Sequence, residues 1–278
     1  MLDAFTIHQP ETVAEASLLL AEHGSDAAVY AGGTELLIIM KERLVQFPHL
    51  VDIKRIPGLA GIRIEGEELV IGALATHRAI ERSPVVREHA PLFAELEASV
   101  ANVRVRSTGT IGGNLCFAEP HSDPATLLIA WDATVKLASS ERTRSMPLDE
   151  FFTGLLETAR LDDEILTEIR VPLPVPVRSA YVRFKIHERP TATVAAALRF
   201  NGDVVADARI VVGSVGERPA RVPAAESLLI GERPAASQWT EAATTVHDAV
   251  DPTEDAFESS GYKRHLARML TERALATA

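Results

Sequence analysis

A single cysteine, Cys116, in 278 residues leaves no partner for a disulfide and too few thiolates for a cysteine-ligated cluster within the chain. Positive charge is also short. Lysine and arginine number 28 against 39 acids, a net charge of −11, the reverse of the basic stripe that nucleic-acid binding requires. No apolar run approaches the roughly 18 residues of a membrane-spanning helix. The opening MLDAFTIHQP lacks the basic and apolar regions of a signal peptide, so a cytoplasmic protein is expected. The nine histidines never form H-x-x-x-H or H-E-x-x-H, and no metal site is expected from their spacing. Neither a G-x-x-x-x-G-K loop followed by Ser or Thr nor a G-x-G-x-x-G is present, which weakens P-loop and Rossmann readings.

What remains is an ordinary balance of 46% apolar and 24% charged residues, long enough for a sizeable core and two domains. PETVAEASLLLAEHG reads as a helix, with Pro10 in its first turn, Val13, Ala16, Leu19 and Leu20 on one face, and Gly24 at its end. AAVYA is a strand, and Thr34 is placed to cap a helix over ELLIIMKERL. HLVDI, ELVIGAL, ATVKLAS and EILTEIRVPLP are strands, whereas PLFAELEASVANV and DPATLLIAW are helices. In the last of these Asp123 takes the N-cap position and Pro124 the first helical one. Residues 172–178, PLPVPVR, carry three prolines and exclude a central strand or helix, which places a boundary there. Beyond it AYVRFKI, TVAAALRF and VVADARIVVGSV form a strand meander turning at Asn201–Gly202, and SGYKRHLARMLTERALA closes the chain as a helix. The fold class is α+β in two parts, 1–172 and 173–278.

Two glycine-rich stretches stand out, YAGGTELLIIM (30–40) and STGTIGGNLC (107–116). Glycine lets backbone N–H groups approach a ligand, and a helix starting behind the loop adds partial positive charge. Together these make an anion cradle without lysine. Two cradles far apart in sequence suit adjacent phosphates such as a dinucleotide pyrophosphate, with Gly33 and Gly113 as the positions where a Cβ would interfere. A Gly-Gly turn alone is more often only a turn, and a capping Thr34 or Asp123 stabilises its helix by roughly 1 kcal/mol with no ligand at all.

The order of these elements resembles one family, the FAD-binding medium subunit of molybdenum hydroxylases, over nearly the whole chain. AGGTELL (Ala31, Gly32, Gly33, Thr34, Glu35, Leu36 and Leu37) resembles its first pyrophosphate loop, and TIGGN (Thr110, Ile111, Gly112, Gly113, Asn114) its second. IGALATH, with Thr76 and His77, is similar to the family's G-A-x-T-T-H segment. AEPHSDPA resembles the stretch whose aspartate contacts the flavin's ribityl and pyrophosphate region, which here is Asp123. Ile165 and Leu166 fall where the family has an aliphatic pair near the flavin, and Lys185 of YVRFK where it carries a flavin-side lysine. GSVGERPARVPAAESLLIG and YKRHLARMLTERAL match its C-terminal domain. Val100 stands where some relatives have an aromatic near the ring, and HERPTAT offers Pro190 and Thr191 where many have an acidic residue.

The resemblance implies a two-subdomain FAD-binding fold of the p-cresol methylhydroxylase/vanillyl-alcohol oxidase type over 1–172, split near residue 55, and a C-terminal α+β domain with a small antiparallel sheet. It implies noncovalent FAD, a 2Fe–2S small subunit, a molybdopterin-containing large subunit and an external electron acceptor. No catalytic residue is assigned. A self-contained flavin oxidase or dehydrogenase is a rival, although no base facing a flavin ring can be named; a nucleotide-binding protein without redox turnover is another. Among other groups, Cys116 packs rather than reacts because nothing adjacent is cationic, and Asp162, Asp163 and Glu164 form a solvated turn. His77 is the histidine nearest the flavin-like segment.

Overall fold

The computed structural model describes residues 2–186 and 189–278. His187 and Glu188 of the HERPTAT segment therefore lie outside the described residues. Thr12, rather than Pro10, starts the first helix: its hydroxyl accepts the Glu15 N–H at 3.1 Å, the helix runs Val13–His23, and Gly24 follows as the C-cap. It packs on a parallel sheet in the order Thr6–His8, His49–Asp52, Ala27–Tyr30. Ala16, Leu20, Val51 and Ile53 share the small core between them. The helix expected over ELLIIMKERL is only Leu36–Lys41, and its N-cap residue is Glu35 without a side-chain cap bond, not Thr34.

A second sheet follows in the order Ile62–Glu65, Glu68–Gly72, Ile165–Pro172, Thr134–Ala138, Thr143–Pro147, with every neighbour antiparallel. Short helices between His77 and Ala130 pack with it into the largest core, which holds Leu69, Ile71, Phe93, Leu115, Leu127 and Phe151. The helix Asp123–Ala130 is buried along its whole length, because it also packs against Ala192–Asn201 and Val204–Gly213 of the third sheet. A largely apolar helix, whose two polar side chains Asp123 and Thr126 are both hydrogen-bonded to the third sheet, suits a place between two layers.

That third sheet is the antiparallel meander Arg178–Phe184, Ala192–Asn201, Val204–Gly213, Ala220–Arg221. The hairpin of its second and third strands, Ala192–Asn201 and Val204–Gly213, turns through Gly202, whose φ of +61° suits glycine. The helices Ala236–Ala249 and Ser260–Thr277 pack against each other, and the second lies on the sheet. Ala236–Ala249 has no counterpart in the sequence reading, since its buried face is made of the small residues Ala242, Ala243 and Val246. Among the described residues no helix is long and apolar enough to cross a membrane.

Candidate cofactor-binding site

A cavity of ≈ 590 Å³ is lined by residues from the N-terminal sheet, the helical segment 100–124, the strand entrance at 160–166 and the Arg189–Pro190 turn. That volume lies in the range of small-molecule and cofactor sites. Both glycine stretches border it, but in different ways.

The first stretch leaves its donors free. Among the described residues, the N–H groups of Gly32, Gly33, Thr34, Glu35 and Leu36 have no acceptor, while the Gly33 carbonyl already takes the Leu37 N–H at 3.2 Å. Gly33 has φ +70°, the left-handed value that lets the successive N–H groups turn the same way. Gly32 packs on the second stretch, where a Cβ would lie 2.3 Å from the Thr108 carbonyl oxygen. Lys54 stands beside this loop: its Nζ donates to the Ala31 carbonyl at 3.3 Å, pairs with Asp52 at 2.9 Å and lies 3.6 Å over the Tyr30 ring. Unpaired donors bordering a cavity are costly unless water or a ligand takes them up.

The second stretch is not a loop of the same kind. Gly112 and Gly113 fall inside the first turn of a helix, Ile111–Phe117, capped by Thr110. Its first N–H groups are committed: Ile111 to the Ala75 carbonyl at 3.0 Å, Gly112 to Ala73 at 2.9 Å, Gly113 to the Thr110 hydroxyl at 3.2 Å and Asn114 to the Thr110 carbonyl at 2.9 Å. What it brings to the cavity lining is Thr110, Gly112, Gly113, Asn114, Cys116 and Phe117. The expectation of two equivalent N–H cradles is corrected accordingly.

The two glycines of that pair have different duties, and a prediction separates them. A Cβ on Gly112 would lie 2.6 Å from the Ala73 Cβ and 2.8 Å from its carbonyl, whereas one on Gly113 meets only the Thr110 hydroxyl, at 2.9 Å. Gly112→Ala should cost about 1–3 kcal/mol through overpacking against the sheet. Gly113→Ala should cost less, because the gain in helix propensity of about 1 kcal/mol offsets the nudged cap. Urea-unfolding midpoints of the two flavin-free variants decide it; a larger loss for Gly113→Ala overturns the assignment.

Of the remaining expected positions, Ala31 to Leu36, Asp123 and Leu166 line the cavity. Ile111 does not, being wholly buried in the core. Thr76 also lies outside the lining, where it caps the helix His77–Arg82 through its hydroxyl and bridges Thr110. Lys185 is exposed just past the strand Arg178–Phe184 and outside the lining. Asp123 is not the expected N-cap, which is Ser122. Its buried carboxylate accepts from the Tyr181 hydroxyl and from Arg183 at 3.1 Å, joining the cavity wall to the third sheet. Burial together with the Asp123 charge pushes the Tyr181 phenol well up.

Some lining groups, Arg189 and Glu119 among them, were not singled out in the sequence. Arg189 reaches Glu35 at 3.2 Å and Glu119 at 2.8 Å, so one cation ties the first loop to the segment after Phe117. Burial pushes the Glu35 carboxyl up; at Glu119 burial is outweighed by His121 and Arg189, which hold that carboxyl down. His77 Nδ1 lies 2.6 Å from the wholly buried Glu97. Burial opposes its charge, yet the Glu97 carboxylate prevails and raises its pKa. His77 thereby brings to the cavity wall an imidazole whose proton is held by the Glu97 carboxylate. Cys116 is inert, its thiol pushed up to about 11 by burial.

An N–H nest, a flanking lysine and apolar side chains around one cavity define a protein that binds an anionic cofactor between its parallel N-terminal sheet and its antiparallel second sheet. The comparisons with known proteins give that class its family. Residues 3–174 match the FAD binding domain in molybdopterin dehydrogenase, and residues 179–278 the CO dehydrogenase flavoprotein C-terminal domain. The carbon monoxide dehydrogenase medium chain of Hydrogenophaga pseudoflava is 36% identical over 274 residues, 98% of this chain and 96% of that one. The caffeine dehydrogenase subunit beta of Pseudomonas sp. (strain CBB1) is 32% identical, over 99% of this chain and 95% of that one. The structure of the H. pseudoflava carbon monoxide dehydrogenase lacking the Mo-pyranopterin moiety superposes with a TM-score of 0.96, covering 100% of this chain and 98% of that one at 36% identity. Quinoline 2-oxidoreductase from Pseudomonas putida 86 gives 0.93 over 100% and 98% at 28% identity. The chain belongs to the family of FAD-binding medium subunits of molybdenum hydroxylases, and it is an oxidoreductase subunit whose cofactor is FAD.

Proposed function

We propose that this subunit holds FAD with its pyrophosphate on the N–H groups of Gly32 to Leu36 and passes electrons from a 2Fe–2S subunit to an external acceptor, in complex with a molybdopterin subunit that carries the substrate. The observation that carries the binding part is the run of unpaired donors around Gly33, a nest of the size and sign a diphosphate needs. Lys54 adds positive charge near that anion, while Thr110 and Asn114, which also line the cavity, offer polar side chains. Val100, Ile165 and Leu166 supply an apolar wall against which a planar ring system can lie. FAD, once bound, supplies the redox chemistry, and the chain supplies position and electrostatics. The assembly part rests on relatives that are subunits by name, matched over nearly their full length.

The isolated, FAD-loaded chain should oxidise no organic substrate. Anaerobic mixing with carbon monoxide, caffeine or quinoline should leave the flavin absorbance unchanged until 2Fe–2S and molybdenum subunits are added. Rapid bleaching by the chain alone would favour a self-contained flavin dehydrogenase. A purified chain that stays colourless after incubation with FAD would favour a nucleotide-binding role without turnover.

A further inference from the structure

Three histidines distant in sequence meet on the N-terminal sheet. The parallel register pairs Thr6 with His49 and His8 with Val51, so His8 and His49 lie on the same face of neighbouring strands. His23, the last residue of the helix Val13–His23, comes down on that face. Its ring stacks on His49 with centroids 3.8 Å apart and planes 4° from parallel, while the His8 ring lies 5.0 Å from His23 and 5.2 Å from His49. His8 Nε2 is 3.0 Å from His49 Nδ1. One nitrogen from each ring falls within 4.8 Å of the others. Among the described residues no carboxylate forms a salt bridge with any of the three, and all three are partly open to solvent.

We propose that His8, His23 and His49 form a binding site for one divalent transition-metal ion of the imidazole-preferring class, with Zn(II) as its probe. A tetrahedral zinc with Zn–N bonds of about 2.0–2.1 Å sets its nitrogen ligands about 3.3–3.4 Å apart. The 3.0 Å His8–His49 spacing is already close to that value; the third nitrogen closes in by a side-chain rotation at a partly exposed position. The ion takes the place of the proton shared by His8 and His49, and water completes the fourth position. Imidazole ligands without a carboxylate favour Zn(II), Cu(II), Ni(II) or Co(II) over Mg(II) or Ca(II). Such an ion would tie together the first strand, the first helix and the strand His49–Asp52. The next residues of the chain, Gly24, Ser25 and Ala27, border the cofactor cavity, while none of the three histidines lines it.

The test uses the untagged, chelator-treated full chain. Zn(II) titration followed by calorimetry should give one saturable equivalent per chain, and Co(II) should develop the visible bands of a tetrahedral site that Zn(II) bleaches. His49→Gln, His23→Gln and His8→Gln should each weaken binding by at least about a hundredfold, because two imidazoles make a much poorer site than three. Flavin content and far-UV circular dichroism of the variants should match the parent chain. A flat isotherm in the parent chain overturns the proposal. So does an unchanged isotherm in His49→Gln, which would place the bound metal elsewhere.

Discussion

Gly33→Val should purify without flavin. Gly33 holds φ +70°, a conformation that a β-branched residue adopts only under strain of roughly 1–3 kcal/mol. Its Cβ would also lie 2.6 Å from Tyr30 Cε2 and 3.2 Å from Leu37 Cδ1. The reason differs from the one the sequence suggests. The side chain would push against Tyr30 and Leu37, the residues that shape the nest. Relaxing φ swings the N–H groups of Gly33 and Thr34 off their common direction, and moving Tyr30 also moves Lys54, which lies over its ring. A loss of about 3 kcal/mol corresponds to about a hundredfold in affinity. Gly33→Asn separates the two causes, since asparagine tolerates positive φ: it should keep more affinity than valine while still crowding Tyr30. Reconstitution with FAD followed by flavin absorbance is the measurement. Full flavin occupancy in Gly33→Val removes the Gly32–Leu36 nest from the site.

The two glycine pairs show what was legible in the sequence and what was not. Both announced a backbone with no room for a Cβ, and both border the cavity. The text could not say which N–H groups would be spent inside the protein. That depends on the approach of Ala73 and Ala75, some 40 residues upstream of Gly113, whose carbonyls take the donors of Ile111 and Gly112. The inner strands of the three sheets followed from apolar runs and turn residues, because burial leaves a period in the sequence. The edge strands Thr6–His8, Ile62–Glu65, Thr143–Pro147 and Ala220–Arg221 went unread. Caps were less legible. Thr12 and Ser83 cap their helices through side chains, but Thr34 and Asp123 do not, although all are good capping types. Asp123 is spent on Tyr181 and Arg183, a contact made only once the meander docks. The histidine trio was hidden for a similar reason: parallel pairing and a helix end bring its members together, and no short spacing records that.

Glu164 offers the largest expected effect on stability, and it was read in the sequence as part of a solvated acidic turn. It is instead wholly buried, at 0% exposure. Arg144 grips it from two nitrogens, Nε and Nη2, each at 2.8 Å; Arg142 adds a bond at 3.2 Å and the Leu161 N–H another at 2.9 Å. These bonds, that of Arg144 foremost and against the pull of burial, hold the carboxyl down at about 2. A depressed folded pKa contributes stability that is fully present above the ordinary glutamate value of about 4.3, and it is lost as pH falls from there through about 2. Arg144→Ala strips the main partner from a buried carboxylate and should cost about 3–5 kcal/mol near neutral pH. Glu164→Gln should cost less, since Arg142 and Arg144 are 38% and 36% exposed and water can reach the cations left behind. Because protonation relieves the stranded Glu164, the gap between Arg144→Ala and the parent chain should shrink on acidification, and the parent should show the steeper acid dependence. Flavin occupancy should fall alongside stability, as Glu164 immediately precedes the cavity-lining pair Ile165 and Leu166. Urea midpoints taken from neutral pH down through the carboxylate range check this. An Arg144→Ala chain as stable as its parent at neutral pH would show that the buried carboxylate finds another partner and that this cluster does not hold the cavity wall.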